Sequence, residues 1–80
     1  MFTVYILRTD KNTLYTGQTK DLVARLGKHT LGKGAKYVRG FKSFELVYTE
    51  KFKTRSEALK REHELKKLSK QEKENLIAAL

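Results

Sequence analysis

Two short runs of β-branched, aromatic and apolar residues, parted by a turn signal at Asp10, Lys11 and Asn12, constrain this chain more than any other feature. Thr3 to Arg8 and Thr13 to Gly17 have the residue types that strands prefer, and the polar triplet between them predicts an antiparallel hairpin. If the hairpin is centred so that paired numbers sum to about 20, Val4 faces Thr16, Ile6 faces Leu14 and Tyr5 faces Tyr15. Alternation then puts Val4, Ile6 and Leu14 on the core face and Tyr5 and Tyr15 together on the other. Gly17 lies beside the tyrosines, where a missing side chain allows close approach of backbone or ligand.

The rest of the chain extends this hairpin into an α+β domain. Thr19 or Asp21 can cap a helix running to about Leu31, with Leu22, Val23 and Leu26 as its apolar stripe. Arg25 and His29, four apart, share a face of that helix. Gly32 to Gly40 reads as a basic loop with three glycines, and Phe44 to Thr49 as a third strand. Thr54 with Glu57, and Ser69 with Glu72, have the spacing of capping boxes. The first opens a helix carrying Ala58, Leu59, Leu65 and Leu68; the second opens one carrying Leu76, Ile77 and Leu80. The expected architecture is a small three-stranded antiparallel sheet flanked by helices, in the order β-β-α-β-α-α. Eighty residues without proline suit one domain, residues 1–80, with short connections.

Charge narrows the class of partner. The net charge is +9, and no acid occurs between Asp21 and Glu45. Arg25, Lys28, Lys33, Lys36, Arg39 and Lys42 fall in that interval, with Tyr37 and Phe41 among them. A concentrated basic segment with interleaved aromatics points to nucleic acid, and less strongly to an anionic membrane surface or to solubility alone. There is no cysteine, which excludes disulfides and thiolate metal sites. The first residues read as a strand rather than a signal peptide, and no stretch approaches the ~20 apolar residues of a membrane span. The expected location is the cytoplasm.

Glu62 is the position that sequence physics singles out. It falls four residues after Ala58 and three before Leu65, inside the apolar stripe of its helix. Glu57 and Glu64 fall off that stripe. A carboxylate on a packed face needs a cation, either a lysine or arginine in a structural ion pair or a metal ion. Taken singly, Tyr5 and Tyr15 suit sheet packing, and Arg25 suits an exposed surface. His29 and His63 lack the further ligands of a zinc site.

Together these residues resemble the GIY-YIG nuclease superfamily, in particular its small stand-alone bacterial members, the YhbQ-like proteins. The resemblance rests on Val4, Tyr5 and Ile6; Tyr15, Thr16 and Gly17; Arg25 and His29; and Glu62 closing the run from Glu57. The segments Gly32 to Gly40 and Phe44 to Tyr48 extend it over nearly the whole chain. It implies a general-base role toward water for Tyr5 and a place in the water and phosphate network for Tyr15. It further implies that Arg25 neutralises the scissile phosphate, that His29 bonds the phosphate or the nucleophile, and that Glu62 binds one Mg2+ or Mn2+. A tyrosine ordinarily ionises near pH ~10, so the base role requires positive charge close by. The first motif lacks its namesake glycine, and Gln18 stands where some relatives have lysine. Asn75 is the only candidate for an asparagine that many relatives carry downstream of the glutamate.

The implied activity is metal-dependent endonucleolytic cleavage or nicking of DNA, in repair or recombination, with Lys28, Lys33, Lys36, Tyr37, Arg39 and Lys42 holding the nucleic acid. DNA is favoured over RNA, and a protein partner could supply targeting. The alternative is a nucleic-acid-binding protein of the same fold that cuts weakly or not at all.

Overall fold

A computed structural model describes residues 1–24 and 44–79. Strands β1 (Phe2–Thr9), β2 (Leu14–Thr19) and β3 (Phe44–Phe52) form one antiparallel sheet in the order β2-β1-β3, with β1 central. Residues Leu22 to Ala24 are helical, and helices α1 (Arg55–Lys66) and α2 (Lys70–Ala78) follow β3. The order is β-β-α-β-α-α and the fold is α+β, as the sequence predicts.

The hairpin register differs from the expectation. Tyr5 pairs with Gly17, Leu7 with Tyr15, Ile6 with Thr16, Val4 with Gln18 and Arg8 with Leu14. Paired numbers sum to 22, so Tyr5 does not face Tyr15, nor Val4 Thr16, nor Ile6 Leu14. The cause is local. Asn12 adopts a left-handed conformation (φ 62°), and Thr9 and Thr13 close the loop through a backbone bond of 2.9 Å. The loop is thus centred on Lys11, one residue later than expected, in the three-residue form that ends on a left-handed residue. A two-residue change in the sum leaves side-chain parity intact, so the expected faces survive the wrong register.

Each face has its own core. Val4, Ile6, Leu14 and Tyr48 pack with Ala58 and Leu65 of α1, flanked by Phe2, Val47, Phe52, Leu68, Leu76 and Ile77. Tyr5 and Leu7 form a second cluster with Tyr15, Leu22 and Phe44. The tyrosine face is therefore packed too, which corrects the picture of a single core face. β3 extends past the expected Thr49 to Phe52 and carries an irregularity, pairing Ile6 with Tyr48 but Leu7 with Leu46. Val47 is the extra residue, as in a β-bulge.

The helices start where side-chain chemistry dictates. Thr54 and Ser69 each accept from the backbone N–H three residues on, at 3.2 and 3.1 Å, and Glu57 and Glu72 reach back to the cap backbone. The backbone N–H and hydroxyl of Ser69 hold the Glu72 carboxyl below its ordinary range. Asp21 Oδ1 accepts from the N–H of Ala24 at 3.2 Å, which makes Asp21 the cap of the helix opening at Leu22. Two expected stripe residues are misplaced: Val23 is 83 % exposed and Leu59 is 42 % exposed. On α1 the buried stripe is narrower, running through Ala58 and Leu65, which lie seven residues apart on nearly one line of the helix.

Candidate active site

Tyr5 and Gly17 are built around each other. Tyr5, on the central strand, is 1 % exposed. A Cβ placed on Gly17 would stand 2.7 Å from the Tyr5 hydroxyl oxygen and 2.8 Å from Cζ. The tip of the phenol therefore lies over β2, in the space that any side chain at position 17 would fill. Glycine is required here by this close approach. What approaches Gly17 is the tyrosine of the other strand, so the first and second motifs form one interlocked unit.

Tyr15 is half-buried on the same face and packs against the Tyr5–Leu7 cluster. It faces Leu7, so the two tyrosines are diagonal neighbours. Between Tyr15 and Gly17, Thr16 points to the other face with Ile6. Its hydroxyl is buried and has no hydrogen-bond partner among the described residues. An orphaned hydroxyl costs about 1–3 kcal/mol.

Glu62 sits on α1, which packs onto all three strands through the face that carries Ala58 and Leu65. That is the sheet face opposite Tyr5, and α1 reaches the tyrosine-bearing strands there at β1 and the edge strand β2. The Glu62 side chain is 17 % exposed, against 54 % for Glu64. Its ion pair is with Lys66 Nζ at 3.1 Å, one turn along the same helix.

Glu50 and Glu74 behave differently, because each joins separate elements. Arg61 Nε donates to Glu50 Oε2 at 2.9 Å, and the Tyr48 hydroxyl donates to the same oxygen. Burial, reinforced by the bond to Glu50, pushes the Tyr48 phenol above its ordinary value. The Glu50 carboxylate likewise raises Arg61. Arg8 meets Glu74 through two bonds of 2.6 Å, and Lys70 Nζ adds a contact at 3.3 Å. The Arg8 bonds first, then Lys70, hold the Glu74 carboxyl down at about 2, and Arg8 is raised in turn. Glu50 and Glu74 thus fasten α1 to β3 and α2 to β1. The Lys66 contact of Glu62 joins no two elements.

The donor chemistry fits a hard divalent cation. Among the described residues, no three His, Cys, Asp or Glu side chains gather. A cation here would rest on Glu62 as its single protein carboxylate and keep several waters. Lys66 is an exposed, flexible ammonium that a divalent ion can displace, since such i,i+4 pairs contribute only ~0.3–0.5 kcal/mol.

Sequence reasoning missed one feature beside this site. An open groove of about 380 Å³ lies between Phe2, Gln18, Thr19, Lys20 and Arg55. It continues β2 past Gly17 and meets the first turn of α1. Lys20 and Arg55 are 35 residues apart in sequence, so the only signal was two isolated cations at the ends of predicted elements. Arg25, Lys28, His29, Lys33, Lys36, Tyr37, Arg39 and Lys42 lie outside the described residues.

The comparisons with known proteins give the family. Residues 1–75 match the model of the GIY-YIG catalytic domain. A UPF0213 protein of Natronomonas pharaonis is 49 % identical over 75 residues, covering 94 % of this chain and 88 % of the relative. A UPF0213 protein of Staphylococcus epidermidis is 50 % identical over 74 residues, covering 92 % and 90 %. The solution NMR structure of a UPF0213 protein from Bacillus halodurans superposes with a TM-score of 0.64 at 45 % identity, covering 99 % of this chain and 85 % of that one. With residues 1–75 of its 80 matched and relatives about half identical over more than nine tenths of its length, the chain belongs to the GIY-YIG catalytic-domain family.

Proposed function

We propose that this chain is a divalent-metal-dependent endonuclease that cuts or nicks DNA, with residues 1–80 acting as one catalytic domain. The observation that carries this reading is Glu62. It is a mostly buried carboxylate on a packed helix face, and among the described residues its ion pair joins no two elements. The structural explanation for such a residue is an ion pair that joins elements, the role Glu50 and Glu74 perform and Glu62 does not. A metal-binding role accounts for keeping a carboxylate there.

In this reading Glu62 holds one Mg2+ or Mn2+. Bound there, the cation supplies positive charge to the phosphate oxygens as the P–O bond breaks. Tyr5 and Tyr15 take the water and phosphate network, with Tyr5 as base. The Gly17 gap fixes the Tyr5 hydroxyl over β2, so the phenol meets its proton acceptor or donor without searching rotamers. Tyr15 is the less buried of the pair. Arg25 neutralises the scissile phosphate and His29 bonds the phosphate or the attacking water. Lys28, Lys33, Lys36, Tyr37, Arg39 and Lys42 hold the flanking strand. Repair or recombination is the cellular setting that suits such an activity, in the cytoplasm, with a protein partner supplying targeting.

The test is cleavage of supercoiled plasmid and of single-strand, duplex, flap and branched oligonucleotides, in DNA and RNA forms, with magnesium or manganese. Wild type should nick, and Glu62→Gln should lose at least 100-fold in rate while binding the same oligonucleotides as tightly. Equal rates for the two proteins would defeat the assignment. The deep burial of Tyr5 favours a second reading, a nucleic-acid-binding protein of the same fold that does not cut. It is the outcome if both proteins bind and neither cleaves any substrate.

A further inference from the structure

The groove at the end of β2 differs from the groove between β3 and α1 in the charges that line it. The latter is open and lined by Glu50, Phe52, Glu57, Lys60, Arg61 and Glu64, so its cations are answered by carboxylates. The groove lined by Phe2, Gln18, Thr19, Lys20 and Arg55 holds two cations and no acid. Among the described residues Lys20 and Arg55 form no ion pair, unlike Arg8, Arg61, Lys66 and Lys70; Lys51, Lys53, Lys60, Lys67 and Lys73 form none either, but they do not share an acid-free groove with a second cation.

We propose that this groove is a phosphate subsite that holds the nucleic-acid strand to one side of the cleavage position, through Lys20 and Arg55 with Gln18 as a neutral donor. The inference rests on the nuclease reading for the identity of its ligand and adds a binding site to it. Its placement follows from the two elements that carry the candidate catalytic groups. Gln18 pairs with Val4, on the sheet face that α1 covers, so the groove lies on the Glu62 side of the sheet. Arg55 and Glu62 are seven residues apart on α1, two turns, and so project from the same side of the helix. Seven residues at 1.5 Å each span roughly 10 Å, about three nucleotides of one duplex strand. A strand whose phosphate sits at Glu62 would therefore reach Arg55 within a few nucleotides.

The chemistry suits phosphodiesters. Arg55 offers a planar fork for phosphate oxygens and Lys20 a point charge. Of the first N–H groups of α1, that of Glu57 is taken by the Thr54 hydroxyl, and the side chains of Lys20 and Arg55 are the charged donors at the groove. The ring of Phe2, half-buried at the groove wall, gives a base a face or edge to rest against.

The experiment compares two double variants of equal charge, Lys20→Ala with Arg55→Ala and Lys60→Ala with Lys67→Ala. Binding to a fluorescent 20-base-pair DNA duplex and to its single strand is titrated between 50 and 200 mM salt in chelator. Losing two phosphate contacts should reduce the slope of log affinity against log salt by about 1.8 for the duplex and about 1.4 for the single strand. Affinity at the lowest salt should fall at least tenfold, and the Lys60/Lys67 pair should move both quantities less than half as much. The charge-keeping pair Lys20→Arg with Arg55→Lys should retain the slope, which separates contact from misfolding. Equal effects of the two alanine doubles would overturn the subsite and leave only net charge. Normal Glu62-dependent nicking with an unchanged slope in Lys20→Ala/Arg55→Ala would defeat the groove and spare the nuclease reading. No binding by wild type to either DNA would defeat both.

Discussion

The charges on the β3 and α2 side of the sheet and those along the β2 edge are put to different uses. On the first side, Arg8 is clamped by Glu74 and Arg61 by Glu50, and Tyr48 adds its hydroxyl to the second pair. These groups hold two helices on a sheet, and their ionisation is shifted by doing so. Along the β2 edge, Glu62 pairs with a lysine of its own helix, Lys20 and Arg55 line a groove without a carboxylate, and Gly17 leaves room for a phenol. Charge spent on ion pairs between elements is unavailable to a ligand; charge left along an edge is available. In the proposed reading function lies along the edge and stability in the clamps, and substitutions can break that division from either side.

Gly17→Ala should produce the largest change. The added methyl meets a ring that is buried and cannot swing away, so overpacking of about 1–3 kcal/mol is expected in a denaturant or thermal melt. Cleavage should fall with it, because the Tyr5 hydroxyl must move. Full activity in Gly17→Ala would show that the position of Tyr5 over β2 does not matter to function.

Glu50→Gln comes next. It leaves Arg61 without its carboxylate and weakens the acceptor of Tyr48, at a cost of about 1 kcal/mol for a partly exposed pair, with no effect on cleavage. A cleavage defect larger than the stability loss explains would erase the division between the two sides. The Arg8 clamp makes a pH prediction. The Glu74 carboxyl is depressed to about 2, so its contribution is present above the unfolded carboxylate range and is lost as pH falls through about 4 toward 2. Glu74→Gln should flatten that part of the acid melting profile.

Thr16→Val should act in the opposite sense. The hydroxyl is buried without a partner among the described residues, and valine keeps its shape without the polar atom. A gain of about 1 kcal/mol is expected if the hydroxyl only packs. Stabilisation accompanied by lost cleavage would instead move Thr16 into the functional edge.

What the sequence revealed follows the range of the interactions. The caps at Thr54 and Ser69 were legible because their chemistry spans three residues. The faces of the hairpin were legible because strand parity survives an error of two in register. The register itself was not, since it depends on whether Asn12 turns left-handed. Glu62 stood out because helical spacing sets it between Ala58 and Leu65, whereas Leu59, one residue off that narrow stripe, was misread. The Arg8–Glu74 clamp spans 66 residues, and the Lys20–Arg55 groove forms only when β2 and α1 meet. Neither leaves a local pattern to read.

Lys66→Ala should have the smallest effect on stability and is the most informative about Glu62. The pair is exposed on the lysine side, so melting should change by no more than about 0.5 kcal/mol. If Glu62 were a structural residue, nothing else would change. If it holds a cation, the Lys66 ammonium competes for the same carboxylate, and removing it frees Oε2. The magnesium or manganese concentration for half-maximal cleavage should then fall, and direct manganese binding measured by paramagnetic resonance should tighten in step. Lys66→Arg, which keeps the charge, should restore the wild-type value. A metal requirement identical in all three proteins would mean that the cation does not compete with Lys66, and Glu62 would rejoin Glu50 and Glu74 among the residues that only hold the fold.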